Sequence, residues 1–182
     1  MDSRKMKHCC IVVAALLMGV WLSAIPVLAA DTPDAWITMK TKIALMTADD
    51  VSTSDLNVDT VNGVVTLHGK VPNEAEKTKA ERVAAKIDGA KSVKNLLQIV
   101  PNARREVVER ADGEVKNAVE AAFKANRRVA DSGIKVASVN KGVVLLSGKT
   151  NSLEAHLEAV QVANAVKGVR RVATEVEVAS NT

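Results

Sequence analysis

The chain has 182 residues, of which 47% are apolar and only 2% aromatic, and it carries a formal net charge of +4. That length holds one ordinary domain or two small ones, with a core built from Val, Ala, Leu and Ile. Without the first 30 residues, 22 basic residues face 20 acidic ones, a balance that excludes bulk-charge attraction to nucleic acid.

The N-terminus reads as a secretory signal over residues 1–30. Arg4, Lys5 and Lys7 form a basic start, Ile11 to Leu22 is an apolar run, and Val27-Leu28-Ala29 offers a cleavage site before Asp31. An uncleaved anchor is the alternative, since Ile11 to Ala30 is nearly long enough to span a bilayer. Pro26 and the small residues at the end favour cleavage near Ala29 or Ala30 and a periplasmic protein. Cys9 and Cys10 precede the apolar run and leave with it. The remaining chain then has no disulfide, thiol nucleophile or thiolate metal site.

In chain order, Trp36-Ile37 through Leu45-Met46 has helical spacing, with Lys40 and Lys42 on the other face. Leu56-Asn57-Val58 leads into a hairpin at Asn62-Gly63, a pair suited to a two-residue type I′ turn. The following strand is expected to end at Gly69. Asn73 caps a helix with Glu76 three residues on, and Ala80, Val83, Ala84 and Ile87 line one face of it up to a terminating Gly89. Val93 to Val100 reads as the last strand. After a linker at Pro101 to Ala103 the order repeats. A long helix spans Glu106 to Arg128, and Ile134-Lys135-Val136 opens a hairpin. There the extra Lys141 predicts a three-residue turn with Gly142 in the left-handed position. Asn151 or Ser152 caps a helix carrying Leu153, Leu157, Val160 and Ala163 that ends at Gly168, and Val172 to Val178 closes the unit.

A shift of about 79 places Gly63 on Gly142, Gly69 on Gly148, Lys70 on Lys149 and Gly89 on Gly168. Val65 falls on Val144, Leu67 on Leu146 and Val93 on Val172. This register means duplication: an α+β protein of two tandem α-β-β-α-β domains, residues 31–101 and 102–182, each a small three-stranded sheet with two helices on one face. Val144 and Leu146 face inward, so Val143 and Leu145 lie on the sheet's other side, where they meet either the other domain or a partner.

These residues resemble the BON family (bacterial OsmY and nodulation domains). The resemblance rests on Gly63-Val64-Val65-Thr66-Leu67-His68-Gly69 and Gly89-Ala90-Lys91-Ser92-Val93-Lys94-Asn95, matched at Gly142 to Gly148 and Gly168 to Val172. Thr174 stands where the first copy has Asn95, which puts in question only a structural hydrogen bond from that Asn. The resemblance implies a non-enzymatic, osmotically inducible periplasmic protein that contacts phospholipid or envelope proteins.

No catalytic set emerges. Past the leader only His68 and His156 remain as histidines, in different copies, and both read as surface residues. Gly142 to Thr150 superficially suggests a phosphate loop, but five residues separate its glycines where four are needed, and they alternate as a strand. Nucleotide, cofactor and metal are therefore not expected. Past the leader Trp36 and Phe123 are the sole aromatics, and they offer nucleic acid no stacking platform.

Charge divides the copies. Residues 31–100 carry net −1 and residues 101–182 net +3. On a wheel of the long helix, Lys116, Lys124, Arg127 and Arg128 share an arc, and Phe123 falls about 40° from Arg127. A basic edge beside an apolar residue suits an anionic lipid headgroup, with Phe123 as a shallow apolar contact. A docked helix with a solvated basic face is the plainer account. The candidate partners are thus an anionic phospholipid surface, through these five residues, or envelope proteins.

Overall fold

The computed structural model describes residues 32–179. The leader, its cleavage point and both cysteines lie outside the described residues. The first copy runs α1 (Asp34–Met46), β1 (Leu56–Val61), β2 (Val64–Val71), α2 (Glu74–Ala84), β3 (Ser92–Asn95) and β4 (Gln98–Ile99). The second runs α3 (Arg105–Ala125), α4 (Arg127–Ala130), β5 (Ile134–Asn140), β6 (Val143–Thr150), α5 (Leu153–Ala165) and β7 (Arg171–Val178). Each copy has the expected α-β-β-α-β order. The hairpins β1–β2 and β5–β6 are antiparallel, and β3 and β7 return parallel to β2 and β6. The expected linker is a short 3-10 turn, Asn102–Arg104, running directly into α3.

Each sheet buries one face under its helices. Ile37 and Leu45 of α1 meet Val58, Val65 and Leu67 of the hairpin and Ala80 and Ala84 of α2. The second copy repeats this with Val119, Phe123, Val144, Leu146, Ala159 and Ala163. The contact face of α5 is made of alanines, which let helix and sheet approach closely. Leu153 and Leu157 of the same helix are therefore on the outside, each 55% exposed. Asn73 and Ser152 accept the amides of Glu76 and Ala155, as N-caps do. α2 ends at Ala84, so Gly89 lies in the turn beyond the helix end.

Both hairpin turns have two residues. Asn62 and Gly63 have φ of 54° and 79°, and Lys141 and Gly142 have 52° and 75°, the paired positive angles of a type I′ turn. The three-residue turn expected at Lys141 is not formed. The extra residue is Ala137, bulged out of β5 where the register jumps between Val136 and Ser138. Gly69 and Gly148 do not end their strands, which run on to Val71 and Thr150. They sit opposite the first residues of β1 and β5, where a Cβ on Gly69 would lie 1.9 Å from the Asp55 carbonyl oxygen.

Asn95 and Thr174 do the same work with different atoms. Asn95 reaches the Lys77 carbonyl and Glu81 on α2 and accepts from the Leu97 amide. Thr174 meets His156 on α5 and accepts from the Val176 amide. In the first copy the strand is interrupted at Leu96-Leu97, which splits β3 from β4. That break sends Leu97 into the core and Leu96 to the opposite face.

Candidate functional site

Leu96 is where the copies meet. It packs on Leu145 and Ala173 from the back of the second sheet, with the bulged Ala137 beside them. Of the two partners the sequence leaves open for Leu145, the structure thus supplies the other copy. Polar contacts extend the seam: Lys94 Nζ donates to the Thr174 carbonyl at 3.2 Å, Lys141 Nζ to the Ile99 carbonyl at 3.2 Å, and Arg105 pairs with Asp55 at 2.8 Å.

An aspartate at a helix holds each hairpin turn. Asp34 accepts the amides of Asn62 and Gly63, both at 2.7 Å, and Asp112 accepts those of Lys141 and Gly142 at 2.9 and 3.0 Å. Asp34 lies 28 residues before its turn and Asp112 lies 29, the difference being the bulge. Asp112 has a second role. It is buried, and its Oδ2 is 3.4 Å from Nζ of Lys70, a buried lysine of the other copy. A turn clamp in one domain thereby becomes an ion pair between domains. Sequence reasoning missed both aspartates, although their near-constant distance from the turn was a usable signal.

His68 is not on the surface. It is 5% exposed, on the face of β2 turned toward the second copy, with Nε2 2.8 Å from Asp59 Oδ2. An ionised carboxylate can only accept, so Nε2 donates and Nδ1 is left buried without a partner. The His68 hydrogen bond, offset in part by burial, holds the Asp59 carboxyl below its usual range, with smaller help from the charges of His68 and Lys42. A groove of about 930 Å³ opens beside this pair, lined from both copies by residues that include Asp59, His68, Ser147, Lys149 and Glu175. His156 lies apart, half-buried against Thr174. Among the described residues no three His, Cys, Asp or Glu side chains are grouped to hold a metal ion.

The five residues expected at a lipid surface do not form one arc. Phe123 is 6% exposed and lies in the core of the second copy, so it cannot be a shallow surface contact. The helix ends at Ala125 because Asn126 leaves helical geometry, with φ −97° and ψ 106°, and its side chain caps α4 through the Val129 amide. Arg127 and Arg128 therefore belong to α4, while Lys116 and Lys124 stay on α3. Arg128 is bound to Glu158 of α5 at 2.6 Å, and Lys116 faces Glu120 at 3.9 Å. The Asn126 amide first, then Arg128, holds Glu158 below the usual carboxylate range. Lys124, Arg127 and Arg128 remain exposed. The exposed Leu157 is adjacent in sequence to Glu158.

A second exposed surface was hidden in a helix read simply as amphipathic. Trp36, Met39, Ile43 and Met46 are 50%, 43%, 54% and 72% exposed. At about 100° per residue they form one stripe along α1, opposite Ile37, Thr41 and Leu45, which are buried. Lys40 borders the stripe on one side, tied to Asp88 at 3.3 Å, and Lys42 borders it on the other. The helix is apolar on two faces, and the core accounts for only one of them.

Comparison with known proteins follows the duplication. The BON domain family model matches residues 33–101 and again residues 111–180. The chain is 33% identical over 146 residues to the Osmotically-inducible protein Y of Escherichia coli (strain K12), covering 79% of this chain and 72% of that protein. Among solved structures it is similar to the C-terminal domain of CdsD, a structural protein of the type III secretion system of Chlamydia trachomatis. That likeness has 15% identity and a TM-score of 0.33 over 82% of this chain and 68% of the other. A second CdsD structure gives 15% identity and a TM-score of 0.31, over 77% and 59%.

Proposed function

This chain belongs to the BON domain family, and on that premise we propose that it is a non-enzymatic, periplasmic protein of the osmotic-stress response that attaches reversibly to anionic phospholipid surfaces. In this reading residues 1–30 are a signal removed on export, and the division into domains falls between 101 and 102. The likeness to Osmotically-inducible protein Y supports the stress role.

The observation that carries the lipid reading is the exposed basic cluster on the second copy: Lys124 at the end of α3 and Arg127 and Arg128 on α4, with the half-buried Lys116 farther back on α3. With Phe123 in the core, Leu153 and Leu157 of α5 take over the apolar part of the contact. A basic residue near an anionic surface contributes about 1 kcal/mol and is screened by salt. Arg128 contributes less while it stays on Glu158. Attachment is therefore weak and salt-sensitive. Reversing charge at Arg127 and Arg128 abolishes flotation with anionic liposomes, whereas the same change at Lys40 and Lys42 does little. Circular dichroism checks that each variant is folded. Equal loss from both pairs, or loss from neither, defeats the site assignment.

A second reading, capture of envelope proteins, is favoured by the α1 stripe. Apolar contact through Trp36, Met39, Ile43 and Met46 resists salt, unlike headgroup attraction. Replacing Trp36 and Ile43 by Ser then removes suppression of aggregation of an unfolded outer-membrane protein and leaves liposome flotation unchanged.

A further inference from the structure

We propose that docking of the two copies is gated by Glu175, so that the seam is tight while this carboxyl is protonated and loosens when it ionises. This goes beyond the surface reading above and stands or falls independently of it.

The geometry of β7 puts Glu175 at the seam. It pairs in register with Ser147, and the same sheet face carries Ala173, paired with Leu145, against Leu96 of the other copy. The first copy presents Thr66 and His68 from β2, both buried, together with Asp59 from β1 and Lys94 from β3. Lys42 of α1, Lys135 of β5 and the pair Lys149–Glu177 line the adjoining groove. Oε1 of Glu175 is buried and has no hydrogen-bond partner. An ionised carboxylate at this place is short of donors and faces a second carboxylate across the seam.

Burial, aided by Asp59, pushes Glu175 above its ordinary value of 4.5; the Thr66 hydroxyl, Lys94 and His68 pull against this without cancelling it. Separation of the copies returns Glu175 to water and to its ordinary range. The docked form therefore holds this proton more tightly than the separated form. The contribution to docking is fully present below the ordinary value and is lost as pH rises through the raised one. Any factor by which docking tightens the proton is the same factor by which ionisation weakens docking; about tenfold in one is about tenfold in the other. Asp59 does not reverse this, because its lowered value keeps it charged across the range in which Glu175 titrates.

The test follows the methyl NMR signals of Leu96 and Leu145 in the chain from Asp31 onward, between about pH 4.5 and about pH 8. In the wild type both signals move together with one titration above the ordinary glutamate range. Glu175→Gln keeps the low-pH positions throughout, and Glu177→Gln, on the same strand, keeps the wild-type profile. A flat wild-type profile, or a Glu175→Gln chain that still titrates, overturns the proposal. If Glu175→Gln does not fold, carbon NMR titration of the wild-type Glu175 carboxyl decides: a raised value supports the gate and an ordinary value sinks it.

Discussion

Removing Asp112 should cost more than removing Asp34, although both hold a hairpin turn by two hydrogen bonds of the same kind. Each side chain accepts two turn amides at 2.7 to 3.0 Å. A hydrogen bond to a charged group contributes about 1.5–3 kcal/mol, and the two share one carboxylate, so Asp34→Ala loses about 2–4 kcal/mol. Asp112→Ala loses that and also strands Lys70, a buried cation 3.4 Å away in the other copy. Deleting one partner of a buried ion pair costs about 3–5 kcal/mol, overlapping in part with the lost turn bonds. The total for Asp112→Ala is then about 4–6 kcal/mol. Urea unfolding of the chain from Asp31 onward measures both. The stranded charge is isolated by adding Lys70→Met: in the Asp112→Ala background it should recover part of the loss, because no unpaired ammonium then remains buried. Equal costs for the two alanine variants, or no recovery with Lys70→Met, would refute the argument that the turn clamp also joins the domains.

Two further outcomes follow from packing. Gly69→Ala should destabilise by more than the ~1–2 kcal/mol of a left-handed conformation, since φ is +127° and the added Cβ meets the Asp55 carbonyl; a thermal melt within a degree or so of wild type would contradict it. Leu96→Ala removes the side chain at the centre of the seam and should cost about 2–5 kcal/mol, read as a split of one unfolding transition into two. A single unshifted transition would mean that the copies are not held by that contact.

Local chemistry explains what could be read in advance. Asn62-Gly63 dictates a type I′ turn from two residues, and the alternation of Val65 and Leu67 faces both inward. Non-local demands explain what could not. Lys141 looked like an inserted turn residue, but Asp112 takes the amides of both Lys141 and Gly142, which holds the turn at two residues. The surplus is absorbed at Ala137, where its side chain joins the seam. A helical wheel placed Phe123 beside Arg127, yet the wheel has no meaning past Asn126, where the backbone leaves the helix. His68 occupies the face of β2 opposite the buried Val65 and Leu67, the face turned toward the second copy, and spacing within one copy does not show what lies against that face. The apolar stripe of α1 was present in the sequence. It passed for core because spacing shows that residues share a face without showing what covers it.

The lipid reading is tested most directly by flotation of the wild-type chain with anionic and with zwitterionic liposomes over a salt series. Binding to the anionic vesicles alone is predicted, falling steadily as salt shortens the screening length from about 10 Å at 0.1 M towards 3 Å at 1 M. Equal flotation with both lipids, or binding that does not change with salt, would contradict attachment through Lys124, Arg127 and Arg128.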